Sequence, residues 1–180
     1  MSDTIFTARH AMGRPVAGQA LVAADGFSAR YDLDRLQGVF SRPGHKLAGQ
    51  SYLDRILILD TAKGGVATAW MLHEMQSRHM APLAIVLNSV NTILAQGAAL
   101  GDVTLLAGFD VDITAQIAHG AWVDIDPATR TLRVVQPPAS STLSTSSTLS
   151  SSSTSPLLPV HGGGEGGVSK VHGPASRARR

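Results

Sequence analysis

The segment Arg55-Ile56-Leu57-Ile58-Leu59-Asp60-Thr61-Ala62-Lys63-Gly64-Gly65-Val66-Ala67-Thr68 joins an unbroken apolar run to a lysine–glycine–glycine loop. An apolar run of this length, with no polar alternation, suits a strand covered on both faces. From Val66 to about Arg78 the spacing turns helical, with Ala67, Trp70, Met71 and Met75 on one side. A buried strand, a glycine turn and a helix in this order begin a parallel α/β unit.

The flanking sequence repeats the pattern. Upstream, Ala17–Ala23 is a strand candidate, and Asp25 to Gln50 is irregular, with turn signals at Asp25-Gly26 and Pro43-Gly44. Downstream, Leu83–Leu87 is a second buried-strand run. Ser89 is placed to cap a short helix through Gln96, with Gly97 as its stop. Val103–Ala107 is a further strand, and a helix is expected from Asp110 or Asp112 to Ala118, ended by Gly120. Ala121–Ile125 and Thr131–Val135 flank Asp126-Pro127-Ala128-Thr129-Arg130 as a hairpin. Met71, Met75 and Met80 suit helix packing. The fold class expected is a compact α/β domain.

A chain of 180 residues with 43% hydrophobic and 16% charged residues suits one domain plus a tail. Aromatics make up 4%, so the core must rest on aliphatic side chains. The absence of cysteine excludes disulfides, a thiol nucleophile, a Cys-ligated zinc and a self-contained Cys-ligated iron–sulfur cluster. The composition breaks after Pro137-Pro138. From Ser140 to Ser155 every residue except Leu143 and Leu149 is Ser or Thr, and a Gly-rich run and a basic end follow. Such a segment buries too little apolar surface to offset its ordering entropy. We therefore divide the chain into a domain, 1–138, and a Ser/Thr/Gly-rich tail, 139–180, expected to stay disordered.

Residues 1–138 carry 11 Lys and Arg against 12 Asp and Glu, so the positive balance comes from the tail. No basic patch with interleaved aromatics points to nucleic acid. No apolar run approaches the roughly 20 residues that span a bilayer. Asp3 interrupts the N-terminus, which does not read as a secretory signal. A cytoplasmic protein without nucleic-acid or membrane partners is the expectation.

Three segments carry groups suited to chemistry. In the first, Lys63-Gly64-Gly65 opens a helix. Unpaired backbone N–H groups and the positive end of the helix dipole attract an anion, and glycines let it approach. Lys63 adds charge and Thr68 a hydroxyl, so a carboxylate or phosphate fits. The same glycines suit a plain strand-to-helix turn, and spacing alone leaves both readings open. The second segment, Gly26-Phe27-Ser28-Ala29-Arg30-Tyr31-Asp32-Leu33-Asp34, gathers a hydroxyl, a guanidinium, a phenol and two carboxylates. The alternative is a solvated turn with an Asp cap, which composition alone favours. In the third, Arg42, His45 and Lys46 cluster at a turn, where a lone histidine suits the surface as well as proton transfer. Asn88, after a strand end, is either a site group or a cap. P-loop, H-E-x-x-H and G-x-S-x-G spacings are absent, and no metal-ligand set is apparent.

The order of these segments resembles the aconitase X swivel domain, or small subunit. It runs from the Phe27-Ser28 segment through His45-Lys46-Leu47-Ala48-Gly49-Gln50-Ser51, Ile56-Leu57-Ile58-Leu59 and the Lys63-Gly64-Gly65 loop. Ala81-Pro82-Leu83-Ala84-Ile85-Val86 and Asn91-Thr92-Ile93-Leu94-Ala95-Gln96-Gly97-Ala98 follow at fitting intervals. The resemblance spans about Val16 to Val135. It implies a swivelling β/β/α domain that closes over a large partner subunit carrying a metal or iron–sulfur centre. It also implies dehydration of a hydroxy acid such as phosphomevalonate or cis-3-hydroxy-L-proline, of which the latter is our expectation. Lys63, Gly64 and Gly65 would bind the substrate anion, with Ser28 and Arg30 completing the pocket. The wider group places Gly-Ser-Ser in this loop, one serine serving proton transfer; here Gly65 and Val66 stand at the serine positions. Thr68 is the remaining hydroxyl for a catalytic role. A non-catalytic swivel module and a stand-alone ligand-binding protein are the alternatives.

Overall fold

The computed structural model describes residues 4–135, and the expected tail lies outside the described residues. The described residues begin with β1 (Thr4–Thr7), β2 (His10–Met12) and β3 (Val16–Ala23). A long connection holds the small hairpin β4 (Leu33–Asp34) and β5 (Val39–Phe40). Then follow β6 (Arg55–Thr61), α1 (Val66–Ser77), β7 (Ala84–Ser89), α2 (Thr92–Leu100) and β8 (Thr104–Ala107). The described chain ends with α3 (Ile113–Gln116), β9 (Trp122–Asp126) and β10 (Thr131–Val135).

Among the described residues, eight strands form one sheet in the order β1-β10-β9-β3-β6-β7-β8-β2. The central strands β3, β6, β7 and β8 are parallel, and the flanking strands pair antiparallel. β1 and β2 stand at opposite ends of this order, yet only Ala8 and Arg9 separate them in sequence. Three Cα steps span at most about 11 Å, so the sheet must curl until its edges meet. The link fastens both edges: Ala8 N–H donates to the Arg130 carbonyl and Arg9 N–H to the Gly108 carbonyl, each at 2.8 Å. The two end strands are short, four and three residues, so each offers another chain only a short edge.

Curling gives the sheet two apolar faces, and alternate residues of β6 serve each. Ile56 and Ile58 join Ala20, Val86, Leu106, Val123, Ile125 and Leu132 in the enclosed core, with Ile113 and Ile117 from and beside α3. Leu57 and Leu59 face a second core with Leu72 and Met75 of α1, Leu94 and Ala98 of α2, and Phe27, Phe40, Leu47 and Tyr52 of the long connection. The four apolar side chains Ile56–Leu59 are fully buried, as a strand covered on both sides requires.

Three local expectations are corrected. The buried face of α1 is Thr68, Leu72 and Met75, while Trp70 is 70% exposed. A buried threonine hydroxyl sets the helix phase, and the apolar pattern alone misplaced it. α2 is capped by Asn91, whose side chain accepts from Leu94 N–H at 2.8 Å, and not by Ser89. Ser89 ends β7 and shares a 2.8 Å hydrogen bond with Thr61. Gly97 lies inside α2, not at its end. A Cβ there would stand 2.4 Å from the Ala69 Cα, so this glycine lets α1 and α2 approach.

Candidate functional site

The site lies beyond the carboxyl ends of β3 and β6, where open parallel sheets place their ligands. Phe27 forms a parallel bridge with Ala62. Its N–H donates to the Thr61 carbonyl at 2.8 Å, and its carbonyl accepts from Lys63 N–H at 2.7 Å. The bridge zips the Gly26–Ser28 segment onto the loop after β6. The two segments that sequence alone left separate are therefore neighbours.

Gly64 has φ +100°, a left-handed conformation that favours glycine. A Cβ at this position would stand 2.5 Å from Thr68 Oγ1 and 3.3 Å from Ser28 Oγ. Below it, the Ser28 and Thr68 hydroxyls lie 3.3 Å apart, both residues 2% exposed. Gly65 occupies the N-cap of α1 and provides no side-chain cap. Among the described residues, none accepts a hydrogen bond from the N–H groups of Gly64 or Gly65. Asn91 fixes the loop from the far side, its amide donating to the Gly64 carbonyl at 3.3 Å.

An ionic network supports the other flank. Lys63 Nζ and Arg42 Nη2 each lie 3.3 Å from Asp25 Oδ1. Arg42 Nε lies 2.6 Å from Asp32 Oδ1, and the second Asp32 oxygen accepts from Ser28 N–H at 2.8 Å. Asp32 thereby fixes the backbone that presents the Ser28 hydroxyl. His45 is buried, its ring stacked on Phe40. Its Nδ1 accepts from Leu47 N–H at 3.1 Å, which leaves Nε2 to donate to the Gly26 carbonyl at 3.2 Å. Burial acts to raise the Asp25 carboxyl pKa. Hydrogen bonding from Gly26 N–H, the electrostatic attraction of His45 and the contacts from Lys63 and Lys46 N–H outweigh it, and the group falls to about 2.

Lys63, Gly64, Gly65, Ser28 and Thr68 thus form one group. Arg30 stands apart, exposed, with its guanidinium 5.3 Å from the Tyr31 ring centre. Asn88 sits at the end of β7, where its amide bridges Asp60 and Asp112 at 3.1 and 2.7 Å and its oxygen accepts from Ile113 N–H. Asp25 was not among the site residues expected from sequence, and Asp32 figured only as a carboxylate of the second segment. The signal for Asp25 was its place two residues after a strand and directly before a glycine. Among the described residues no three His, Asp or Glu side chains gather as metal ligands, and no helix is long and apolar enough to cross a membrane.

A curled β-rich sheet with α1 and α2 packed on one face and this glycine loop is the architecture expected of a swivel domain, and sequence comparison bears this out. The chain belongs to the aconitase X swivel-domain family, whose sequence model matches residues 5–134. Among its relatives, the phosphomevalonate dehydratase small subunit of Methanopyrus kandleri is 30% identical over 63% of this chain and 84% of that protein. The subunit of that name from Thermococcus kodakarensis is 25% identical over 66% of this chain and 86% of its own length. The holo-form structure of Thermococcus kodakaraensis aconitase X has the same fold, with a TM-score of 0.69 at 22% identity, covering 74% of this chain and 99% of that chain.

Proposed function

We propose that this chain is the small, swivelling subunit of a two-chain hydro-lyase that dehydrates a small hydroxy acid. Membership in the aconitase X swivel-domain family and relatives named as dehydratase small subunits support the reading. The observation that carries it is the exposed Lys63-Gly64-Gly65 loop, with two unbonded N–H groups, directly above the buried Ser28–Thr68 hydroxyl pair. The loop would bind the substrate carboxylate through the Lys63 amine and the Gly64 and Gly65 N–H groups. Arg30 would reach the substrate from the rim. The Ser28–Thr68 pair would move the proton beside that carboxylate, Thr68 as the acting hydroxyl. Closing the domain over a large partner would exclude water from the bound substrate. This chain has no cysteine, and its described residues gather no ligand set. We therefore assign any metal or iron–sulfur centre to the partner, in a cytoplasmic enzyme.

The departure at Gly65 and Val66 from the group's usual serines sets this chain apart from a simple transfer of the relatives' substrate. We keep cis-3-hydroxy-L-proline as the proposed substrate and phosphomevalonate as the one to test beside it. The second reading, a lid that binds without moving a proton, is favoured by the burial of both hydroxyls. The test is co-expression of the full chain with the large subunit, size-exclusion chromatography, and dehydratase assays on both compounds. Co-elution with activity that needs both chains supports the reading, and a chain that ignores the partner overturns it. Lys63→Ala should lower kcat/KM about 10- to 100-fold, the scale of one charged hydrogen bond.

A further inference from the structure

Lys63 is 51% exposed, and a lysine so placed ordinarily samples many rotamers. Here its stem lies flat across Gly26: a Cβ on that glycine would stand 2.1 Å from Lys63 Cε and 2.7 Å from Nζ. The amine ends 3.3 Å from Asp25 Oδ1. Asp25 is itself fixed from several sides. Gly26 N–H donates to Oδ1 at 2.8 Å, Arg42 Nη2 lies 3.3 Å from the same oxygen, and Lys46 N–H donates to Oδ2 at 3.4 Å. His45 holds the Gly26 carbonyl, so the glycine cannot drift from beneath the lysine.

We propose that Asp25 is the positioning residue for Lys63. Its anchored carboxylate draws the lysine through a gap that only a glycine at position 26 leaves open, and holds the amine at the loop before any anion arrives. Pre-ordering of this kind removes an entropic cost from ligand binding without adding a contact to the ligand. The role rests on the reading that Lys63 binds the substrate anion. It predicts a binding defect rather than a chemical one when the tether is cut.

Two variants cut the tether by different physics. Asp25→Asn removes the charge. Gly26→Ala keeps the charge and pushes the stem away, and φ at Gly26 lies outside the left-handed region, so alanine fits the backbone. In the assembled two-chain enzyme, assayed with phosphomevalonate and cis-3-hydroxy-L-proline, each variant should raise KM about tenfold and leave kcat within about twofold. Neither should have any effect in a Lys63→Ala background, because groups that act through one another are non-additive. Asp25→Glu should recover part of the loss. If Lys63→Ala is costly while Asp25→Asn and Gly26→Ala are silent, or their effects add to it, the positioning role is overturned and the Lys63 reading stands. If Lys63→Ala is silent in an active enzyme, or neither compound is turned over, the site reading fails and the positioning role falls with it.

Discussion

Ser28 Oγ and Thr68 Oγ1 meet at 3.3 Å beneath Gly64, although 40 positions separate them in the chain. The Phe27–Ala62 bridge brings them together, and the left-handed Gly64 roofs them. On the proposed reading, this hydroxyl pair under the glycine loop would link two functions in one small volume: holding a carboxylate and handling the adjacent proton. Thr68→Val keeps the shape and removes the hydroxyl. If Thr68 transfers the proton, kcat should fall about 10²- to 10⁴-fold with KM unchanged, and Thr68→Ser should retain most of the activity. The thermal midpoint reports the accompanying stability cost, about 1 kcal/mol for one lost hydroxyl contact. An unchanged kcat would leave this chain as a lid that only binds.

Gly64→Ala should damage the same pair from above. The backbone is in the left-handed region, and the added methyl would meet Thr68 Oγ1 at 2.5 Å. Strain and steric displacement together should destabilise the domain by about 1–3 kcal/mol. Chemical denaturation of the full chain measures this. A variant as stable as the parent would mean that the loop relaxes freely and does not fix Thr68.

Asp25 makes stability depend on acid. Its folded-state carboxyl sits at about 2, below the ordinary 3.8. A depressed carboxyl stabilises the fold fully above its unfolded value, and the contribution fades as pH falls through the folded value. The expected loss is about 2 kcal/mol between about pH 4 and pH 2. Asp112 is also lowered, first by the Thr114 hydroxyl and then by Asn88, and Asp126 by the Thr129 hydroxyl. Asp25→Asn should therefore shallow the acid limb of a denaturation series without flattening it. An identical limb in the variant would show that Asp25 keeps an ordinary carboxyl in the folded protein.

The strands legible from a continuous apolar run were those buried on both faces, whereas the half-exposed β9 and β10 were legible from the turn between them. Ile56–Leu59 and Ile85–Leu87 are runs of the first kind. β1 and β2 left no such mark: they are short, lie at the sheet edges, and are partly exposed. Their importance is topological, since Ala8 and Arg9 tie both edges together. The face of α1 was misread because a polar residue, Thr68, points inward while Trp70 points out. Within the site, the Lys63-Gly64-Gly65 loop was legible from local chemistry. The roles of Asp25, Asp32 and Arg42 were not, because they arise from pairings between segments that only the Phe27–Ala62 bridge and the long connection bring together. His45 read as a surface residue or proton carrier; both ring nitrogens instead engage backbone groups in the interior.

Gly65 offers the sharpest test of which hydroxyl serves this site. It is the N-cap of α1 with φ −124°, and a Cβ there would meet nothing within 4 Å. A serine therefore fits without strain and adds a hydroxyl at a position where the family resemblance implies one. As an N-cap, serine should stabilise the helix by a few tenths of a kcal/mol over glycine. Gly65→Ser alone should thus leave the thermal midpoint equal or slightly higher. The informative experiment is the double variant. If Thr68 supplies the proton-transfer hydroxyl in place of the absent serine, Gly65→Ser should recover part of the kcat lost in Thr68→Val, because the new hydroxyl stands at the same loop. Recovery of kcat without a change in KM would establish that the two positions are chemically interchangeable. If the double variant stays as slow as Thr68→Val while Gly65→Ser alone is fully active, position 65 does not reach the reacting proton, and the Ser28–Thr68 pair is the part of this chain that does.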